Sequence, residues 1–307
     1  MAQILTGTAS WTDPTLLAAH WYPDDATSPE DRLRFYASQF PLVEVDSTYY
    51  SLPAENTAVL WADRTPDHFT FDFKAYRLFT GHPTPIKALP KSVRETLPAE
   101  LAKKSNVYSK DLPEDVVGEI WDMYRRALMP VHSAGKLGAV FLQFPKWFFF
   151  GRDNLQSIAK ARERLPDYAM AVEFRQPSWM NEKHRDETLR FLREHEIAYT
   201  SVDEPQGTSA SVPPVAAATT DLAVVRFHGR RTETWDKPGV GVEERFKYLY
   251  DESELSEWVP KIEELSRETQ QVHVLMNNCY ADYGVRNAEQ LALLLQQQGA
   301  AVVSADS

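Results

Sequence analysis

Cysteine is nearly absent from this sequence: its 307 residues include one, Cys279. A lone cysteine forms no internal disulfide and supplies no cysteine-based zinc cluster. The chain also lacks any run of 18 apolar residues, and its start, MAQILTGTAS, is not a basic segment followed by an apolar one. We therefore expect no membrane span, no signal peptide and a cytoplasmic location.

Positive charge is in short supply, because 33 Lys and Arg face 44 Asp and Glu, which gives a net charge of −11. This balance disfavours wholesale wrapping of nucleic acid but is compatible with local basic patches. A glycine-rich phosphate loop is missing as well: GTASWTD follows the first apolar segment where a dinucleotide-binding sheet has G-x-G-x-x-G. A doubly wound open sheet is thus the weaker of two α/β alternatives.

What the sequence does have is a repeating pattern of a short apolar run, a polar turn and an amphipathic stretch. The predicted strands lie near residues 3–10, 41–50, 68–76, 137–145, 168–175, 197–205, 222–230 and 272–279. The predicted helices lie near residues 28–40, 113–128, 152–165, 185–196, 252–265 and 286–300, and residues 206–220 read as a loop. Eight alternating units over this length predict an α/β protein of the (β/α)8 TIM-barrel class, as a single domain over residues 1–307.

Polar side chains stand two residues apart at the ends of several predicted strands, as in Glu173-Phe-Arg175. Residues at this spacing point to one face of a strand, and the carboxyl ends of TIM-barrel strands form the mouth where active sites lie. We therefore expect a polar site at the mouth. The catalytic candidates are Glu44, Glu173, Asp203 and His228, and the substrate-binding candidates are Lys74, Arg175, Arg226, Gln143 and Asn278. The alternative is a structural ion network, although burying charges is a costly way to stabilise a core.

Aromatic residues follow many of the strands, and Trp11, Tyr50 and Trp179 are the candidates for stacking on a ring of the substrate. Their alternative role is packing under long loops. No cofactor is predicted, since histidines with metal-ligand spacing are missing. A divalent metal held by Glu44, Asp46, Glu173 and Asp203 remains an open alternative.

One segment departs from the acidic background. Residues 87–110 contain six Lys or Arg and two Glu, within a predicted insertion after the third strand that spans residues 79–113. An insertion at this point is expected to overhang the mouth of the barrel, as a lid or as a contact for a phosphate backbone. A solvated loop with a short helix is the alternative.

Several motifs, in order along nearly the whole chain, resemble the YecE-like family, the domain of unknown function numbered 72. They are GTASWTDP, FPLVEVDSTYYSLP, TPDHFTFDFKAY, LGAVFLQFP, AVEFRQPSW, VVRFHGR and NNCYADYGVRNAEQL. The resemblance implies a TIM barrel and no established activity; the family's barrel is similar to those of endonuclease IV-type phosphodiesterases and sugar isomerases. The chain departs from the family in having Asp46 where Asn is usual, and in the spacing around His82, whose role is therefore open.

The cationic strand ends favour an enzyme that binds a small anionic, phosphate-bearing substrate, with hydrolysis of a phosphoester as the preferred reaction. Nucleic acid is a further candidate partner, and no membrane partner is expected. Two alternatives remain open: a carbohydrate-active enzyme that uses paired carboxylates, and a non-catalytic protein that binds nucleic acid or another partner.

Overall fold

Eight parallel strands close into a barrel in the computed structural model, which describes residues 2–305 except for the side chain of Val242. The strands of the chain are β1 (Gln3–Ala9), β2 (Leu42–Val45), β3 (Thr70–Lys74), β4 (Thr84–Pro85), β5 (Asn106–Val107), β6 (Leu137–Gln143), β7 (Met170–Glu173), β8 (Ala198–Asp203), β9 (Leu222–Phe227) and β10 (Gln271–Met276). The order around the barrel is β1-β10-β9-β8-β7-β6-β3-β2, while β4 and β5 form a separate antiparallel pair. The predicted TIM barrel is confirmed.

Helices connect the barrel strands on the outside. They are α1 (Pro14–Ala18), α2 (Pro29–Ala37), α3 (Glu55–Asp63), α4 (Lys91–Thr96), α5 (Ala99–Ala102), α6 (Glu114–Ser133), α7 (Arg152–Glu163), α8 (Arg185–Glu194), α9 (Thr232–Trp235), α10 (Val242–Arg245), α11 (Glu252–Ser256), α12 (Val259–Glu268) and α13 (Tyr283–Gln297). Helix α2 begins where its sequence predicts, because Ser28 and Asp31 form a reciprocal capping box ahead of Pro29. No described helix is long and apolar enough to cross a membrane.

Several helical segments differ from the prediction, among them the short helices α1, α9 and α10, which were not predicted. Helix α3 was not anticipated, and it packs against α6 beside the β2–β3 connection. The segment 252–265, expected as one helix, is two, because α11 ends at Ser256 and α12 begins again at Val259. Pro260 stands in the first turn of α12, where its missing N–H costs nothing, whereas in a continuous helix it would break a hydrogen bond.

The interior of the barrel changes from apolar to charged toward its mouth. Residues at alternate positions of the strands fill the lower interior with a cluster that includes Leu5, Leu42, Ala139, Ala171 and Val224. Two positions further along three of these strands stand Glu44, Glu173 and Arg226, each with no exposed surface. The period of two along a strand therefore places charge on top of the apolar layer, at the end where the mouth opens.

The insertion after β3 is folded against the barrel. It carries α4, α5 and the β4–β5 pair, and it buries Leu89, Val93, Val107 and Leu112 in the main hydrophobic core. Its basic side chains are mostly exposed, as expected of an amphipathic segment.

Candidate functional site

Arg226 is the centre of the charged layer. Its guanidinium binds Glu44 through two parallel hydrogen bonds, from Nε at 2.9 Å and from Nη2 at 2.8 Å, and it donates to Glu173 Oε2 from Nη1 at 2.7 Å. The guanidinium carbon also lies 4.5 Å from the centre of the Phe141 ring. One arginine on β9 thus ties the ends of β2 and β7 together across the barrel, with the planar geometry that favours bidentate binding of carboxylates.

Glu173 connects this buried centre to the mouth. Its Oε1 accepts a hydrogen bond from Gln143 Nε2 at 2.6 Å and lies 2.8 Å from Arg175 Nε and 3.2 Å from His228 Nε2. Burial alone would raise the pKa of Glu173, but His228, Arg226 and Arg175 together hold it well below its usual range. Glu173 is therefore a carboxylate that fixes two arginines and an amide in place.

His228 is a neutral imidazole in this arrangement. Burial, followed by the charge of Arg175, lowers the pKa of His228 to about 3. The side-chain amide of Asn277 donates to His228 Nδ1 at 2.8 Å, which leaves the ring proton on Nε2, the nitrogen that faces Glu173.

Arg175 has a second carboxylate partner, Glu204, that sequence reasoning missed. Arg175 Nη1 donates to Glu204 Oε2 at 2.5 Å, and Glu204 Oε1 accepts from the backbone N–H of Val212 at 2.7 Å. Arg175 also lies over the Trp235 ring, 4.7 Å from its centre. Burial raises the pKa of Glu204 to about 8 and that of Glu44 to about 7, in each case against the pull of an arginine.

Lys74 and Asp46 form the other exposed edge of the charged layer. Lys74 Nζ lies 3.1 Å from Asp46 Oδ1, and the two side chains are 12% and 33% exposed. Burial works to raise the pKa of Asp46, but the charges of Lys74 and Arg226 and the hydrogen bonds to the carboxylate together outweigh it, so the pKa is lowered. Asp46 is therefore an ionised carboxylate with access to solvent.

Above these residues lies a cleft of about 810 Å³, which we call the mouth cleft. Lys74, Gln143 and Arg175 reach its floor, and Tyr50, Trp147 and Trp235 are among the aromatic residues of its walls. Tyr50 and Trp147 are 53% and 52% exposed, so their ring faces are available to a ligand. Asp13, Asp46, Asp236 and Glu243 also line the cleft, beside the cations Lys146, Lys237 and Arg245.

The predicted site residues divide into three groups by their position. Lys74, Arg175, Gln143 and Tyr50 line the mouth cleft. Glu44, Glu173, Arg226 and His228 lie together with no exposed surface, so they support the cleft floor without lining it. The expectation that these charges converge at the carboxyl ends of the strands agrees with their positions, whereas direct access of all of them to a substrate does not.

The remaining four lie elsewhere, and their expected position at the mouth was wrong. Asp203 faces the outer helices, where its carboxylate accepts hydrogen bonds from Tyr250, Trp258 and Arg230. Val202 is the register partner of Arg226 on the neighbouring strand, so both side chains point into the barrel. Asp203, the next residue, therefore points outward. The adjacent pair Asp203-Glu204 was the signal for the missed residue, since one of two successive acids must face inward.

Asn278 was also expected at the mouth, but the adjacent residue, Asn277, is the one that lines the cleft. The Asn278 amide donates to Tyr248 O and Asn287 Oδ1, away from the cleft. Trp179 is fully buried and donates to Phe148 O at 2.6 Å, and Trp11 is 7% exposed and packs edge-on against Trp61. Trp179 and Trp11 therefore pack beneath loops, which was the alternative to stacking on a ring of the substrate.

A metal centre is not evident in the part of the chain that the structure describes, where no three His, Cys, Asp or Glu side chains are grouped to hold an ion. The open alternative of a metal held by Glu44, Asp46, Glu173 and Asp203 does not agree with the geometry. Asp203 is turned outward, and Glu44 and Glu173 share Arg226.

His82 lines the mouth cleft, and its ring contacts those of Tyr49 and Trp147.

A closed parallel barrel with a charged cleft at the carboxyl ends of its strands defines a TIM-barrel protein with its site in the position usual for the fold. Residues 5–307 match the sequence model of DUF72, described as a protein of unknown function, and the chain belongs to this family. The family predicted from the motifs is confirmed.

Relatives match over nearly the whole chain. The UPF0759 protein YunF of Bacillus subtilis (strain 168) is 30% identical over 296 residues, covering 95% of this chain and 94% of YunF. A crystal structure of a DUF72 family protein from Thermotoga maritima MSB8 is 31% identical with a TM-score of 0.73, covering 96% of this chain and 99% of that one. Another, from Enterococcus faecalis V583, is 24% identical with a TM-score of 0.75 and covers 96% of both chains. The last of these supports the fold alone.

Proposed function

We propose that the mouth cleft binds a small phosphate-bearing anion and that the protein is an enzyme that hydrolyses a phosphoester. The observation that carries this proposal is the position of Lys74 and Arg175 on the floor of one cleft. Lys74 is the last residue of β3 and Arg175 follows β7; these strands lie on either side of β6, whose last residue is Gln143. Neighbouring strands are about 4.8 Å apart, so the two cations stand on strands about 10 Å apart, a spacing suited to bracketing a phosphate or diphosphate.

Both cations are held in place before any ligand arrives. Arg175 is fixed by Glu173, Glu204 and the Trp235 ring, and Lys74 is fixed by Asp46. Donors that are already oriented need no reorganisation when negative charge develops on phosphoryl oxygens, which is the main way proteins stabilise such transition states.

Asp46 is the acid–base candidate that reaches the cleft. In hydrolysis the oxygen of a water forms a bond to phosphorus while the Asp46 carboxylate accepts a proton from that water. The bond from phosphorus to the leaving oxygen breaks, and the leaving oxygen takes a proton from solvent in the open cleft. Lys74 and Arg175 neutralise the charge on the phosphoryl oxygens. Glu44, Glu173 and His228, which have no exposed surface, act here as positioning residues.

The carbohydrate alternative is weakened by the same geometry. A glycosidase needs two carboxyl groups on opposite sides of the scissile bond. Glu44 and Glu173 both accept hydrogen bonds from the guanidinium of Arg226 and are fully buried, so there is no space for a sugar ring between them.

Ligand binding and phosphate release test the proposal together. We expect inorganic phosphate, pyrophosphate or a mononucleotide, at about 100 times its Kd, to stabilise the folded protein by about 2.7 kcal/mol in a thermal-shift assay. Lys74→Gln and Arg175→Gln should each weaken binding at least about tenfold, because a charge-assisted hydrogen bond contributes about 1.5–3 kcal/mol. Release of phosphate from a phosphomonoester panel measures turnover.

The matched control is Arg267→Gln, in the last turn of α12 and 66% exposed, at the opposite end of the barrel. This variant should bind as the wild type does. Failure of every anion to shift the melting temperature contradicts the proposal. Binding without phosphate release leaves the non-catalytic alternative.

A further inference from the structure

A second groove of about 920 Å³ lies beside the mouth cleft. It runs between the two ends of the insertion and the helices α6 and α7, and Pro145 and Trp147 line both it and the mouth cleft. The two cavities are therefore neighbours, with the segment that follows β6 as their shared boundary.

The charge of this groove is positive, in contrast to the chain as a whole. Lys110, Lys160 and Arg164 line it, with Glu114 as the one acidic residue among its lining side chains. Arg164 is 3.4 Å from Glu114, whereas the structure places no carboxylate of the described residues within ion-pair distance of Lys110 or Lys160. Lys110 and Lys160 are exposed, so their charge is available to a ligand.

Aromatic rings line the same groove. Trp147 and Tyr108 line the groove and are 52% and 38% exposed, and Phe79 and Trp121 form a stacked pair at 3.5 Å deeper in it. Lys110 Nζ lies 5.8 Å from the centre of the Tyr108 ring, so one cation and one ring of the groove are neighbours. Exposed rings beside cations that lack a carboxylate partner are typical of surfaces that bind single-stranded nucleic acid, because bases stack on the rings while cations track the phosphates. A duplex offers no free base faces for such stacking.

We infer that this groove binds the continuation of a single-stranded nucleic acid, one phosphate of which occupies the floor of the mouth cleft. The inference rests on the proposed function, and it names a nucleic-acid strand as the substrate class. Lys110 and Lys160 then contact phosphates, and Trp147 stacks with a base at the junction of the two cavities.

The test compares a mononucleotide with an eight-residue oligothymidylate, each carrying a fluorescent label, by anisotropy over a salt series with the full chain. We expect the oligonucleotide to bind at least about tenfold more tightly, since each stacked base contributes about 1–3 kcal/mol. In the double variant Lys110→Gln/Lys160→Gln this gain is reduced, because two phosphate contacts are lost while stacking on Trp147 remains. The slope of log K against log salt becomes shallower by about 1.4, or about 0.7 for each lost phosphate contact. The mononucleotide should bind the double variant as it binds the wild type.

Lys103→Gln is the matched control, because Lys103 is an exposed lysine of the same insertion that lines neither cavity. An oligonucleotide that binds no tighter than the mononucleotide, or a double variant that matches Lys103→Gln, overturns the inference while mononucleotide binding still supports the proposed function. Equal binding of poly-glutamate at the groove also overturns it, by showing a general polyanion surface. If neither nucleotide ligand binds, the inference falls, and the phosphate and pyrophosphate arms of the thermal-shift assay decide the proposed function.

Discussion

At the scale of single residues, the mouth site depends on which of its charged groups are sealed and which reach solvent. Glu44, Glu173 and Arg226 compensate one another in a layer that water does not reach, and they fix Arg175, which does reach the cleft. A buried ion cluster of this kind adds little stability over apolar residues of equal volume. Its value lies in holding Arg175 at a defined position.

Glu204 gives a prediction about pH. Burial raises the pKa of Glu204 to about 8, above the ordinary value of 4.5 that we expect in the unfolded chain. Between pH 4.5 and 8 the unfolded chain releases this proton and the folded protein keeps it, so the folded state loses stability as pH rises. Glu204→Gln cannot titrate. The free energy of unfolding of the variant, relative to the wild type, should therefore increase from pH 5 to pH 8.

Urea denaturation of both proteins at the two pH values measures this difference. Glu44, whose raised pKa of about 7 also changes stability over this interval, is present in both proteins, so its contribution cancels. A relative stability that stays constant over the same interval would show that Arg175 keeps Glu204 ionised, because a folded-state pKa at or below 4.5 produces no change between pH 5 and pH 8.

Sequence reasoning is least reliable at this scale, because it must choose between two adjacent polar residues. Asp203 and Asn278 were expected at the mouth, but Glu204 is the acid that contacts Arg175 and Asn277 is the amide that lines the mouth cleft. A shift of one residue moves a side chain to the opposite face of a strand. Two polar residues in succession therefore leave the inward one undetermined until the register against the neighbouring strand is known.

At the scale of elements, the sequence predicts most of what the structure contains. Each of the eight predicted barrel strands is present, and the capping box of α2 is formed by the residues expected. The periodicity is clear in these segments because one face of each is buried. Helix α3 was missed because, as its burial shows, it inserts just two small residues, Ala58 and Ala62, into the core and lacks a strong apolar stripe.

Close contact between β1 and β2 yields a prediction for Gly7. A Cβ at this position would lie 1.9 Å from the carbonyl oxygen of Leu42, so the two strands would have to move apart. We expect Gly7→Ala to lower the free energy of unfolding by about 3 kcal/mol, the upper end of the usual cost of overpacking. Chemical denaturation measures it. Gly241→Ala, where a Cβ meets nothing within 4 Å, should differ from the wild type by less than about 0.5 kcal/mol. Equal stability of both variants would contradict this account of the barrel's closure.

At the scale of the whole molecule, a chain with a net charge of −11 lines its mouth cleft and the neighbouring groove with eight Lys or Arg and five Asp or Glu, a local excess of positive charge. The acidic surface keeps non-specific contacts with nucleic acid weak, while the cleft and groove supply local positive charge. The insertion borders both cavities, through His82 at the mouth cleft and Lys110 at the groove.

The packing of the insertion predicts that it unfolds together with the barrel. Val107, in the β4–β5 pair, is fully buried in the main core. Val107→Ala should therefore cost about 2 kcal/mol and lower the midpoint of one cooperative transition by roughly 4 °C in calorimetry. Val59→Ala, on α3 and 40% exposed, is the control and should have little effect. A separate low-temperature transition that alone responds to Val107→Ala would show that the insertion folds independently.

The sequence by itself determined the number and kind of the barrel strands, the family, and the concentration of polar residues at strand ends. These follow from local periodicity and from short motifs, each of which consists of residues within a few positions of one another. Tertiary structure alone decided that Arg226 gathers Glu44 and Glu173 out of solvent, that Lys74 and Arg175 are left to face the cleft, and that a basic groove lies beside it. The physical reason is that closing the barrel brings together residues as distant in sequence as Glu44 and Arg226, which are 182 positions apart, and the register of that closure fixes which charges neutralise one another.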